Sequence, residues 1–467
     1  MKNWSKNLKT LAQIAMKINL QKYSEYKDSG VEWLGEIPSH WQLIKLRNIG
    51  IFSASGIDKY LKINEPAVKI INFTDVYANK SMTLDSSFDY MVVTTPESNR
   101  VRHLVNMGDL IFLPSSETYE DLGAAALVNE KLENTSFSYH VIRFVFQKDI
   151  DHSFRKYLTN NDFVLNQFSR QGKGSTRKIV GRGVFKDVQV IIPSREEQTV
   201  IANFLDRKTA LIDQAVDIKQ KQIELLKERR QILIHKAVTR GLNPNAKLKD
   251  SGVEWIGKIP EGWEVSKLLG LCNFIRGNSS FGKDELLNFG EYVALQYGKT
   301  YKVNEVNEQY NYYVNNEFYK ADQIVNYGDT IIISTSETIQ DLGHTAYYKR
   351  NDLGLIGGEQ ILLNPNKEKI NSHYLYFASK VFSKELRKYA TGIKVFRFNI
   401  NDLKTIYSAV PPLSEQQQIV KYIETATAKI ATAISLKQQE IEKLKEYKAT
   451  LINSAVTGKI KISNYAK

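Results

Sequence analysis

The chain has 467 residues, 42% of them hydrophobic, and a formal net charge of +13. At about 150 residues per domain, that length allows roughly three domains with real cores and excludes a small stapled scaffold. One cysteine, Cys272, excludes a disulfide framework and a multi-cysteine zinc site, and reads as a small buried apolar residue.

In chain order, residues 1–22 come first: a lysine-rich segment of charge +5 whose apolar Leu8, Leu11, Ile14 and Ile18 are spaced as on a helix. Lys9 and Lys17 interrupt it, so it lacks the unbroken core of a signal peptide. No run approaches the ~20 apolar residues of a membrane span, and a cytoplasmic protein is expected. "DSGVEWLGEIPSHW" follows from Asp28 and returns as "DSGVEWIGKIPEGW" from Asp250, 222 residues later. "GDLIFLPSSETYEDLG" from Gly108 is echoed from Gly328 at an offset of 220, while "EEQ" at Glu196 and "SEQ" at Ser414 lie 218 apart. The chain is therefore one architecture written twice, with divergent middles.

Each large region alternates short β-branched runs with turn residues. "KIINF", "DLIFL", "HVIRFVF" and "DVQVIIP" are predicted strands of the first; "TIIIS" and "QILLNP" belong to the second. "YNYYVNNEFY" at 310–319 reads as a half-buried strand edge rather than an aromatic platform for bases. Charge is concentrated at matched places: 155–182 has seven basic residues against Asp162, and 373–400 has six against Glu385. That repetition points to phosphate.

From Glu196 to Val238, and again from Ser414 to Thr457, there is neither Pro nor Gly, so each stretch is predicted to be one helix of ~40 residues. Heptad a positions Thr209, Val216, Ile223 and Arg230 alternate with d positions Ile212, Lys219, Leu226 and Leu233. The second copy repeats the register with Thr427, Ile434, Ile441 and Lys448 at a and Ile430, Lys437, Leu444 and Leu451 at d. Such helices bury a seam and act as a spacer between lobes. Ser194 and Ser414 are expected to cap their first turns.

Catalytic signatures are missing. There is no phosphate-binding G-x-x-x-x-G-K-[ST] loop. The Asn-Pro sites at Asn243 and Asn364 lack the aromatic of an amino-methyltransferase motif, and the seven histidines make no metal-ligand spacing. The repeated Ser-Glu-Thr at 116–118 and 336–338 reads as a tight turn, and Glu446-Tyr447-Lys448 as charge pairing on a helix. No catalytic or metal-binding residue is assigned.

"YKDSGVEWLGEIPSHW", "REEQ", "SEQQ" and "KAVTRGLNPNAKLKDSGVEWIGKIPEGW" resemble elements of the specificity subunits of type I restriction-modification enzymes, from Tyr23 onward. The resemblance implies an α+β chain with an internal pseudo-twofold repeat: two similar mixed α/β target recognition domains separated by two long antiparallel coiled-coil helices. The division becomes an N-terminal extension, 1–22; recognition domain one, 23–195; a central helix, 196–240; recognition domain two, 241–413; a C-terminal helix, 414–459; and a tail, 460–467. It further implies double-stranded DNA with a bipartite site as ligand, and two methyltransferase and two restriction subunits as partners. S-adenosylmethionine would serve the former and ATP with Mg the latter, with no cofactor on this chain. By position, DNA contacts are expected from the loops "QGKGSTRK" and "TGIKVFRF": Lys173, Arg177, Lys178 and Arg182 in the first lobe, Lys394 and Arg397 in the second. Trp33 and Trp255 read as packing anchors. A nuclease with an unrecognised motif and a scaffold binding only proteins are the competing readings.

Overall fold

The computed structural model describes residues 21–462; most of the expected extension 1–22, and 463–467 of the tail, lie outside these. The chain divides into two compact units, Met1–Gln220 with Gln438–Lys467, and Lys221–Lys437. Each long helix thus contributes one half to each unit.

In the first unit a five-stranded sheet has the order Gly50–Ser53, Ile142–Phe146, Leu110–Phe112, Ala125–Val128, Thr83–Leu84. Its four leading strands pair antiparallel and the last pairs parallel. The second unit repeats this order with Cys272–Arg276, Gln360–Pro365, Thr330–Ile333, Thr345–Tyr348 and Glu305–Val306. Every strand predicted above falls in a sheet. The smaller sheet beside it differs, with three strands in the first unit and four in the second. Tyr313–Val314 forms an edge of the latter, with Tyr310 buried beneath it, as the half-buried edge reading expects.

The repeated sequences are turn and cap chemistry. Asp28 and Asp250 each accept from the glycine amide two residues on, at 3.0 and 2.9 Å, and both glycines have φ near +70°. Asp109 and Asp329 each accept from the amide three residues back, at 2.8 Å. Thr118 and Thr338 each donate to the following Asp121 or Asp341 at 2.6 Å, which is the tight turn expected of Ser-Glu-Thr.

The long helices run Arg195–Arg240 and Leu413–Val456. All sixteen heptad positions named above are buried or half-buried. In the first unit Asp213 meets Lys448 at 2.7 Å and Glu440 meets Lys219 at 2.6 Å, so the helices are antiparallel. Ser194 caps its helix as expected: its Oγ accepts from the Glu197 amide and its backbone N–H donates to the Glu197 carboxylate, a reciprocal box. Ser414 does not. The two helices start at equivalent positions, Arg195 and Leu413, so the residue that answers to Ser194 is Pro412; Glu415 and Gln416 donate their amides to Pro412 O, and Ser414 lies inside the first turn.

The anchors of the repeat are Trp41 and Trp263, 0% and 1% exposed. Trp41 Nε1 donates to Glu197 Oε2 at 3.1 Å, and Trp263 Nε1 to Glu415 Oε2 at 2.9 Å. Burial alone would raise the Glu197 carboxyl, yet hydrogen bonds from Ser194, His40 and Trp41 hold it below its ordinary value. Beside it, buried Gln198 donates to Pro193 O and accepts from Asp151 N; Gln416 does the same with Pro411 O and Asn371 N. The opposite helix ends dock on the same motifs. A Cβ on Gly458 would lie 2.3 Å from Pro38, and one on Gly241 would lie 3.1 Å from Trp263. In each unit, then, one Ile-Pro-x-x-Trp motif clamps the start of one long helix and the end of the other. Trp33 is only partly covered, lying 5.0 Å from Phe163 with Arg170 over its ring, and Trp255 packs half-buried.

Candidate nucleic-acid interface

The basic stretches expected to meet DNA fold into the same small device in both units. Lys173 and Ile179 exchange backbone hydrogen bonds at 3.0 and 2.8 Å, and Thr391 and Arg397 do so at 2.9 Å each, closing a five-residue loop. Gly174 and Gly392 turn it with φ of +117° and +105°; a Cβ on either would lie 2.1 Å from the carbonyl oxygen three residues on. Only glycine fits there. The returning strand, Lys178–Ile179 or Phe396–Arg397, pairs antiparallel with Ser115–Ser116 or Thr335–Ser336. The Ser-Glu-Thr echo is therefore the platform of the basic loop, a partnership between segments about sixty residues apart.

The side chains are placed unequally. Arg177 is exposed, donating Nε to Ser115 Oγ at 3.1 Å with its guanidinium 4.9 Å from the Phe73 ring centroid. Lys178 turns back, donating to the carbonyls of Gly174 and Ser175 and covering Tyr119. Lys173, Arg182 and Lys394 are exposed and make no ion pair among the described residues, Arg182 as the first residue of a short helix. Arg397 is exposed, 3.8 Å from Glu359. It lines a cavity of about 420 Å³ with Arg276, Tyr389, Asn399 and Asn401.

Sequence reasoning missed a second cluster beside the first loop. Burial, then the positive charges of Lys59 and Arg177, hold the His140 imidazole below its ordinary value, and the exposed Tyr139 ring lies tilted against it with centroids 3.8 Å apart. Lone residues 58–59 and 139–140 carry no pattern; only the fold gathers them by Arg177. No group of three or more His, Cys, Asp and Glu able to hold a metal occurs among the described residues. Cys272 is buried, which pushes its thiol up to about 12. Lys448 of the Glu-Tyr-Lys triplet is engaged with Asp213 across the seam. No described helix is long and apolar enough to cross a membrane.

One lobe built twice, each presenting a glycine-turned basic loop on a fixed platform, is the plan of a duplicated recognition protein. The family model of the type I restriction modification DNA specificity domain matches residues 38–228 and again 260–446, and the chain belongs to that family. It is similar to the putative type I restriction enzyme MjaX specificity subunit of Methanocaldococcus jannaschii, 26% identical over 96% of this chain and 100% of that one. The MjaVIII specificity subunit of the same organism is 23% identical over 96% and 99%. A solved chain of a type I R-M system superposes with a TM-score of 0.66 at 16% identity, covering 91% of this chain and 99% of that one. The chain is thus a specificity subunit, a recognition rather than a catalytic component, with the two-lobed mixed α/β fold expected of one.

Proposed function

We propose that this chain reads a bipartite site in double-stranded DNA, one half-site per lobe, with 23–195 and 241–413 as the two target recognition domains. The observation that carries the reading is the repeated basic loop, built identically and exposed in both lobes but armed with different side chains. Lys173, Arg177, Arg182, Lys394 and Arg397 contact phosphate or base edges, and Lys178 mainly stiffens its loop. The helical segments 196–240 and 414–459 hold two methyltransferase subunits, which use S-adenosylmethionine, and two restriction subunits, which use ATP and Mg. Exposed Leu225 and Ile232 on one helix, and Tyr422 and Leu436 on the other, supply apolar contact for such docking. The complex works on DNA in the cytoplasm.

Exchanging residues 45–190 for the equivalent region of a relative tests the reading. Mapping methylated bases in the host is expected to show one half-site changed and the other retained; alteration of both halves would end the two-reader account. In the purified complex, Arg177→Ala with Lys178→Ala is expected to lower the slope of log affinity against log salt by about 1, one phosphate contact. An unchanged slope would remove the first loop from the interface.

A further inference from the structure

The two basic loops share a backbone and differ in what they hold out. Their closing hydrogen bonds and left-handed glycines align at an offset of 218, which sets Ser175 against Ile393, Thr176 against Lys394 and Arg177 against Val395. The first tip offers two hydroxyls and a guanidinium. At the second tip Ile393 is 94% exposed and Val395 37% exposed, with Lys394 between them and Arg397 on the returning strand.

Single exposed apolar residues are common and need no explanation. This one differs in its setting. Gly392 and two backbone hydrogen bonds fix the loop that carries it, so the side chain is held outward rather than left on a mobile tip. Cations flank it, which suits a polyanion and not the apolar face of a neutral protein. On the edges of base pairs in the major groove, hydrogen-bonding groups are the rule and the thymine 5-methyl is the apolar exception. An isoleucine makes no hydrogen bond, so a methyl group is what it can recognise there.

We propose that Ile393 reads the 5-methyl group of a thymine in the half-site taken by the second lobe, while Lys394 and Arg397 hold adjacent phosphates. This rests on the reading above that the loop meets DNA. Ile393 is then a specificity-determining residue, Val395 forms the second wall of the methyl contact, and the first tip presents Ser175 where the second presents Ile393.

The test uses the full chain in its methyltransferase complex and a duplex selected from random sequence. Each thymine of the selected duplex is replaced in turn by deoxyuridine, which removes the methyl group alone. The expected result is one position in the second half-site where binding weakens about fourfold, the worth of one buried methyl at ~0.8 kcal/mol. Ile393→Ser, an exposed substitution that leaves the fold intact, is expected to erase that difference and leave the first half-site untouched. A second half-site without thymine, tolerance of deoxyuridine at every position, or full discrimination kept by Ile393→Ser, as when the tip meets a protein instead, each overturns the inference. The paired variant Lys394→Ala with Arg397→Ala separates this failure from that of the underlying reading: a lowered salt slope keeps the loop on DNA even if the methyl contact is lost, whereas an unchanged slope refutes both.

Discussion

The two lobes agree at the clamps that hold the long helices and disagree where loop side chains face water. Trp41 and Trp263 each give an indole N–H to a glutamate on the first turn of a long helix, and Gln198 and Gln416 each satisfy a proline carbonyl and a loop amide. A buried donor or acceptor left without a partner costs ~1–3 kcal/mol, so these positions tolerate no drift between copies. The loop tips carry no such obligation, and Ser175-Thr176-Arg177 in one copy answers to Ile393-Lys394-Val395 in the other. A duplicated recognition protein thus keeps its frame and varies its readers. The seam falls between these extremes. Lys448 is paired with Asp213 in the first unit, whereas the equivalent Arg230 of the second has Ala431 at the position matching Asp213.

The largest effect is expected from removing the clamps. Trp41→Ala and Trp263→Ala are each expected to cost ~3–5 kcal/mol in urea unfolding, by lost burial and by stranding the glutamate. Equal losses mark equal clamps; a mild effect from either would show that only one lobe depends on its tryptophan.

A smaller effect is expected at the seam. Asp213→Ala leaves the half-buried Lys448 ammonium without its partner and is expected to destabilise the first unit by ~1–2 kcal/mol. The converse change, Ala431→Asp, supplies an acid to Arg230 and is expected to stabilise the second unit by at most ~1 kcal/mol. Loss of stability from Ala431→Asp would mean that the seam of the second unit does not match that of the first.

The smallest effect distinguishes the lobes by pH. His344 stands where the first lobe has Ala124, and it lies 2.8 Å from Val303 O. Burial, then the nearby Lys380 charge, holds its imidazole below the ordinary value. The folded state thus excludes a proton that the unfolded chain takes up near pH ~6.5, so this residue leaves stability whole above that pH and removes it as pH falls below. Thermal melting from pH 7.5 to 5.5 is expected to show a shallower loss for His344→Ala than for the unaltered chain. Identical slopes would mean that His344 is not desolvated in solution.

Legibility followed the range of the interaction. The duplication, the strands, the heptad seam and the turn role of Ser-Glu-Thr were readable, because echoes and periodicities are carried by neighbouring residues. Ser194 is legible as a cap, its partner being three residues on, whereas Ser414 is the counterpart of Glu196 and the capping position of the second helix is held by Pro412. Trp33 and Trp41 belong to the same echo, and only burial tells them apart: Trp33 packs partly covered against Phe163 and Arg170, whereas Trp41, eight positions on, is sealed.

By itself, then, the sequence determined that two similar mixed α/β lobes and two long seam-forming helices make up this chain, and that it belongs among recognition subunits. The tertiary structure alone decided which ends meet. Trp41 finds Glu197 across 156 residues, and the hydroxyl of Tyr26 finds the carbonyl of Gly458 across 432. It also decided that the basic loop stands on the Ser-Glu-Thr turn, that Lys178 bends back while Arg177 stays out, and that Lys59 and His140 gather beside them. The physical reason is that a periodicity fixes only which face of an element is apolar. Which distant donor satisfies which buried acceptor depends on where the packed elements bring them, and that is settled only when the whole core has formed.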